Sequence, residues 1–285
     1  YSEELFVGRR TKTKINIAYL SDVADQERVK QLKERLQEID IDGILDSGNL
    51  RSFLNPQKSA FPKILSTERP DYVCGYLLEG KIAIFVENTP FVLLFPTVFT
   101  DFFHTPGDYY QKSYNVNFSR FLRIFGFLIT LLVPAAYVAI MTYNPEMIPD
   151  KLFISVAVQR EGVPFPTAIE IVMLGITFEL LRECDLRVPS KMGTAISVVG
   201  GLVLGEAAVN AGIVSPFAVI IVAITSIAGL LFTDIDMVNA LRWWRLIFIL
   251  FASSCGMIGV VIASILLITH LSTLETFGVP YLTPL

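Results

Sequence analysis

Histidine and cysteine are nearly missing from this chain of 285 residues, which has two of the first and three of the second. His104 and His270 stand far apart without acidic or cysteine neighbours in sequence, and Cys74, Cys184 and Cys255 are scattered without CxxC spacing. That excludes the usual zinc and dithiol motifs and leaves the cysteines to be expected as reduced packing residues. GxGxxG, P-loop and nucleophile-elbow patterns are lacking too, which removes the grounds for a dinucleotide enzyme, a phosphate-loop enzyme or an α/β-hydrolase. No enzyme site, metal or cofactor is expected, and His104, after the aromatic cluster Phe99, Phe102 and Phe103, reads as an interfacial residue rather than a catalyst. No dense basic patch with interleaved aromatics occurs and the net charge is -4, which argues against a nucleic-acid partner. Charge of either sign is scarce, at 18% of residues against 53% hydrophobic. With a mean hydropathy of +0.55, that balance exceeds what a soluble domain carries and points to a membrane protein.

The scarce charges are unevenly placed, mostly before about Gln111, and the long apolar runs all follow Asn117. The expected fold is therefore an α/β cytoplasmic domain over residues 1–112, followed by an α-helical polytopic membrane domain over residues 113–285. That second domain is expected to make about four to five crossings and to hold a re-entrant or interfacial helix. In the first part, KINIAYL reads as a strand. Val29, Leu32, Leu36 and Ile39 mark an amphipathic helix starting after Asp25, and a short helix precedes Pro56. Ser66 or Thr67 is expected to cap a third helix with Pro70 in its first turn and Gly80 at its end. KIAIFVE and FVLLF form a hairpin.

In the second part, Phe118 to Tyr143 reads as a crossing that Pro134 kinks without ending, and Ile148 to Val158 as a piece too short to cross. Pro166 to Cys184 carries Glu170, Glu179, Arg182 and Glu183 and needs protein or water beside it; as an interfacial amphipathic helix it would instead keep those charges among headgroups. Phe217 to Phe232 returns across, and Leu246 to Leu271 is expected as one last span. Arg120 with Arg123, Arg182 with Arg187 and Lys191, and Arg242 with Arg245 form three cytoplasmic anchors, the last beside the interfacial pair Trp243 and Trp244.

The run from Lys191 to Gly212 is long enough to cross a bilayer yet carries an acid. On a helical wheel Gly201, Gly205, Ala208 and Gly212 form a small-residue stripe suited to helix packing. Ala195, Val199, Leu202, Glu206 and Asn210 fall on roughly the opposite side. Two readings of Glu206 stand, a lining position on an aqueous path or a buried, hydrogen-bonded or protonated glutamate near the interface.

Several separated runs together resemble one family: IDIDGILDSGNL (Ile39 to Leu50), STERPDYV (Ser66 to Val73), LLEGKIAIFVENTPFVLLFP (Leu77 to Pro96), REGVPFPTAIE (Arg160 to Glu170) and FGVPYLTPL (Phe277 to Leu285). They are similar, in this order and over essentially the whole chain, to the A subunit of the spore germinant receptors, the GerA family. Within it LFTDIDMVNALRWWR resembles the branch called stage V sporulation protein AF. The resemblance implies the central part of a longer multi-pass protein of the spore inner membrane, with its amino-terminal domain cytoplasmic. It further implies a homopentamer around a pore that releases monovalent cations early in germination, helped by a small membrane partner protein and other germination proteins. On that expectation the Ala195, Val199, Leu202, Glu206 and Asn210 face lines the pore. The alternatives are a single-protomer proton-coupled transporter, with Glu170, Glu179 and Glu206 as a carboxylate relay, and a non-conducting membrane scaffold.

Overall fold

The computed structural model describes residues 1–54, 59–187, 201, 203 and 205–283. They fall into two compact units, one built from residues 1–121, 232–240 and 268–285, the other from residues 122–231 and 241–267.

The first unit is organised on a five-stranded antiparallel sheet of order β1-β2-β4-β5-β3. Its strands are β1 (Ser2–Val7), β2 (Thr13–Ala18), β3 (Leu65–Thr67), β4 (Ile82–Val86) and β5 (Val92–Phe95). Alternation of side chains along each strand sends Ile15, Ile17, Ile84, Val86, Leu93 and Phe95 into one core. That core is closed by Val29, Leu32 and Leu36 of α1 (Gln26–Gln37) and by Leu50 and Leu54 of α2 (Ser47–Leu54). α1 begins where the Asp25 carboxylate accepts the Glu27 N–H at 3.0 Å, satisfying one of the donors a helix start leaves unpaired. α3 (Pro70–Leu78) packs on β3, β4 and β5 and buries Tyr72, Val73 and Tyr76.

The sequence pattern located β2, the three helices and the β4–β5 hairpin but missed β1 and β3. β1 is an edge strand with half its residues exposed, so it carries little hydrophobic signal. Ser66 and Thr67 are not cap residues: they lie in β3, opposite Leu93 and Val92. α3 instead starts after Arg69 with no side-chain cap, and Pro70 in its first turn has no N–H that would need one. Cys74, Cys184 and Cys255 are free, and it is their exposure that departs from the expectation of packing.

The last residues of the chain belong to this first unit. Phe277 packs tilted against Phe95 with ring centres 5.0 Å apart, and the Arg35 guanidinium lies 4.5 Å from the Phe277 ring centre. Tyr281 is fully buried; its hydroxyl donates to the Pro62 carbonyl at 2.6 Å and its own carbonyl accepts the Phe99 N–H at 2.7 Å.

The second unit is helical. α4 (Ser113–Thr142) leads into it and runs through Pro134 without ending. α5 (Asp150–Gln159) is about 15 Å long, too short to cross a bilayer. α6 (Thr167–Arg187) follows, and residues 205–210 are helical. α7 (Pro216–Gly229) is apolar but about 21 Å long. α8 (Ile235–Thr273) and α4 are the two described helices long and apolar enough to cross a membrane by length and composition.

α8 is not the single straight span its hydropathy suggests. Gly256 has φ +62 and ψ -141, a conformation that penalises any residue with a Cβ. A Cβ built on Gly259 would lie 1.9 Å from the Phe251 carbonyl oxygen, whereas eight residues of straight helix would separate the two by about 12 Å. The chain therefore folds back at Gly256 into two arms, 235–255 and 257–273, and residues at the outer ends of both arms join the first unit. The break is repaired from the end of α4. The Asn144 side-chain oxygen accepts the Met257 N–H at 3.2 Å and the Tyr143 hydroxyl donates to the Ser253 carbonyl at 2.9 Å. Backbone groups released inside a membrane need such partners.

Candidate functional site

Of the expected lining face, Ala195, Val199 and Leu202 lie outside the described residues; Glu206 and Asn210 are exposed on the helical turn 205–210. On its other side Gly205 and Ala208 are half-buried, and a Cβ on Gly205 would stand 3.9 Å from Val219 of α7. Gly201 is half-buried, with no described atom within 4 Å of a Cβ built there. Gly212 is a correction, because it is not on the helix at all. It follows the helix end with φ +67, its N–H donating to the Val209 carbonyl and that of Ile213 to Ala208. This is the double hydrogen bond that closes a helix on a left-handed glycine. The small-residue spacing continues into a turn, where glycine is demanded by backbone conformation rather than by packing.

Ser215 then starts α7, its hydroxyl accepting the Ala218 N–H at 3.3 Å. The same residue binds the first of the expected membrane acids. Glu170 has no exposed surface, and one of its carboxylate oxygens accepts the Ser215 N–H at 2.5 Å and the Ser215 hydroxyl at 2.7 Å. The other oxygen faces Arg160 Nε at 3.7 Å, an ion pair longer than a hydrogen bond. Arg160 and Glu170 bracket the REGVPFPTAIE run, whose turn joins α5 to α6. A carboxylate accepting a backbone donor at a helix start is favoured by the helix dipole as well as by the bonds themselves.

Glu179, about half a turn beyond the middle of α6, meets a different set. Arg242 stands at 2.7 Å, Arg245 at 3.2 Å and Arg182, one turn along the same helix, at 3.8 Å. The sequence read Arg242 and Arg245 only as interface anchors; the structure assigns both a carboxylate partner. No local pattern could have paired them, since more than sixty residues separate them from Glu179. Glu170 and Glu179 are each held in a network of their own, and neither shares a partner with Glu206 in the described structure.

The histidines have structural surroundings. His270 Nε2 lies 3.1 Å from the Ser59 hydroxyl. His104 sits among Asp101, Asp108 and Arg120, and burial, with Arg120 next, holds its pKa below the ordinary value. Close by, the Lys81 ammonium pairs with Asp101 and lies 3.8 Å from the Tyr76 ring centre, and burial pushes its pKa down. Among the described residues no cluster of three or more histidine, cysteine or acidic side chains is placed to hold a metal.

A sheet domain continuous with apolar helices, two of them long and apolar enough to cross a membrane, fits a membrane protein with an attached α/β domain. The chain belongs to the GerA family: the family described as Bacillus/Clostridium GerA spore germination protein matches residues 1–285. Spore germination protein KA of Bacillus subtilis (strain 168) is 44% identical over 284 residues, covering 99% of this chain and 52% of that protein. Spore germination protein GerLA of Bacillus cereus is 41% identical over 284 residues, covering 99% of this chain and 58% of that protein. The chain thus spans about half the length of the curated relatives it matches. The crystal structure of the N-terminal domain of the A subunit of the Bacillus megaterium spore germinant receptor GerK3 is 46% identical in sequence, covers 35% of this chain and 79% of that chain, and has a TM-score of 0.28.

Proposed function

We propose that this chain is the core of a subunit that acts in spore germination by forming, with further copies of itself, a cation-conducting pore in the spore inner membrane. Five copies are the number the family resemblance implies, with the amino-terminal domain cytoplasmic and a small membrane protein among the partners. The observation that carries the reading is the polar side of residues 205–210. Glu206 and Asn210 are exposed while Gly205 and Ala208 are half-buried, Gly205 beside Val219 of α7. In a chain this apolar, a carboxylate left without cover by its own protomer is stabilised where neighbouring copies enclose water. On the helical wheel of the sequence Leu202, Val199 and Ala195 share the side of Glu206, and in this proposal they supply apolar rings able to gate by dewetting. The assignment of the run 231–245 to the stage V sporulation protein AF branch belongs to this proposal, and with it a role in amplifying ion release.

A relay of Glu170, Glu179 and Glu206 within one protomer receives less support, because the first two are neutralised locally by Ser215 with Arg160 and by three arginines. The test is reconstitution in liposomes together with mass measurement of the detergent-solubilised particle. Glu206→Gln is expected to lower cation-over-anion preference several-fold and Val199→Ala to raise the resting leak, in a particle of several copies. Unchanged conduction in both variants, or a single-copy particle, sinks the proposal.

A further inference from the structure

The second unit holds an open cavity of about 270 Å³ lined by α6, α7 and α8 and by Pro134 of α4. Its walls are apolar, formed by Pro134, Ile171, Ile176, Val222, Leu246 and Ile249, and Gly175 borders it with no described atom within 4 Å of a Cβ built there. One end is charged. Glu179, Glu183, Arg242 and Arg245 line it, and Arg182 pairs with Glu179 from the side. Three guanidinium groups thus meet two carboxylates, an excess of positive charge at the entrance to an oily space. Arg242 pairs with Glu179 through its terminal nitrogen at 2.7 Å, and its Nε is buried without a hydrogen-bond partner, a donor still free for an anion.

We propose that this cavity binds an anionic phospholipid of the phosphatidylglycerol class, one acyl chain entering between α6, α7 and α8 and the phosphate resting on Arg242 and Arg245. Guanidinium groups match a phosphate diester in geometry as well as charge. Basic pockets between membrane helices beside the headgroup layer favour anionic lipids. Trp243, adjacent to Arg242 and exposed, is a residue type that settles at that same depth, whereas Trp244 is buried in the protein. The excess positive charge selects against a zwitterionic headgroup, whose own cation would meet the same arginines. An inorganic anion would satisfy the arginines but leave the apolar walls facing a void. The inference concerns a site within one protomer and does not rest on the pore.

The full chain, stripped of lipid in detergent and then offered equal amounts of phosphatidylglycerol and phosphatidylcholine, is examined by native mass spectrometry. The expected result is preferential retention of phosphatidylglycerol by about tenfold, and a loss of about tenfold in Gly175→Phe, which fills the cavity while leaving every charged residue in place. Arg242→Gln is expected to lose the preference between the two lipids; should that variant fail to fold, the Gly175→Phe comparison decides alone. Excess inorganic phosphate is expected to leave the bound lipid in place. Equal retention of both lipids, undiminished phosphatidylglycerol in Gly175→Phe, or complete displacement by phosphate overturns the proposal, the last in favour of a free-anion site.

Discussion

A carboxylate with no exposed surface has to be met by donors, and Glu170 is met by the N–H and hydroxyl of Ser215, which in turn caps α7. The acid therefore fastens the start of one helix to the start of another, with Arg160 as its counter-ion at 3.7 Å. Removing it strands a largely buried guanidinium and two buried donors. Glu170→Ala is expected to cost about 3 kcal/mol, and Ser215→Ala, which removes a cap and one bond to the acid, about 1–2 kcal/mol. Denaturation in mixed micelles of the two single variants and the double variant is expected to show a coupling of at least about 1 kcal/mol. Costs that simply add would mean that the bond does not link the two helices energetically. The glutamate could be picked out by eye as an acid in an apolar run. Its partners could not, because Ser215 reads as an ordinary turn residue before Pro216.

At the scale of elements, α8 departs furthest from its hydropathy profile. An apolar run with small residues reads as one crossing, yet the arms on either side of Gly256 are about 31 and 25 Å long and fold back on each other. A Cβ at position 256 would meet Asn144 Oδ1 at 2.8 Å and Tyr143 Cβ at 2.9 Å, and the backbone there suits glycine alone. Gly256→Ala is expected to destabilise the second unit by about 2–3 kcal/mol. Spin labels placed at the exposed positions Leu246 and Leu266 are expected closer than the about 30 Å that a straight helix imposes. A distance at or above that value would refute the fold-back. The sequence offered a hint in Gly256 itself, but a lone glycine in a membrane helix more often serves close packing, and only the groups at the end of α4 distinguish the two uses.

At the scale of the whole molecule, residues far apart in sequence share a unit. The terminal run FGVPYLTPL follows the last apolar stretch, yet Phe277 lies on Phe95 of the sheet and Tyr281 is bonded to Pro62 and Phe99. The segment completes the first unit's core, so Tyr281→Ala is expected to cost that unit about 3–5 kcal/mol, and Tyr281→Phe, which leaves the Pro62 carbonyl without its donor, about 1–2 kcal/mol. Denaturant unfolding followed by near-ultraviolet circular dichroism checks both; an Ala variant as stable as the parent would show the tail to be an appendage. This packing accounts for a motif at one end of the chain that no reading of local periodicity could connect to the other end.

Composition and hydropathic period by themselves determined that the chain joins an α/β domain to apolar helices, that its helices start near Asp25 and Pro70, and that KIAIFVE and FVLLF pair. These properties depend on neighbours a few residues apart, whose spacing decides which side of a helix or strand is apolar. Tertiary structure alone decided that Gly212 ends a helix, that Gly256 turns one back, that Glu179 is shared by three arginines, and that the tail closes the sheet domain. Each of these depends on which distant group arrives to satisfy a charge, a carbonyl or an exposed apolar surface, and burial imposes that requirement without writing the partner's position into the local sequence.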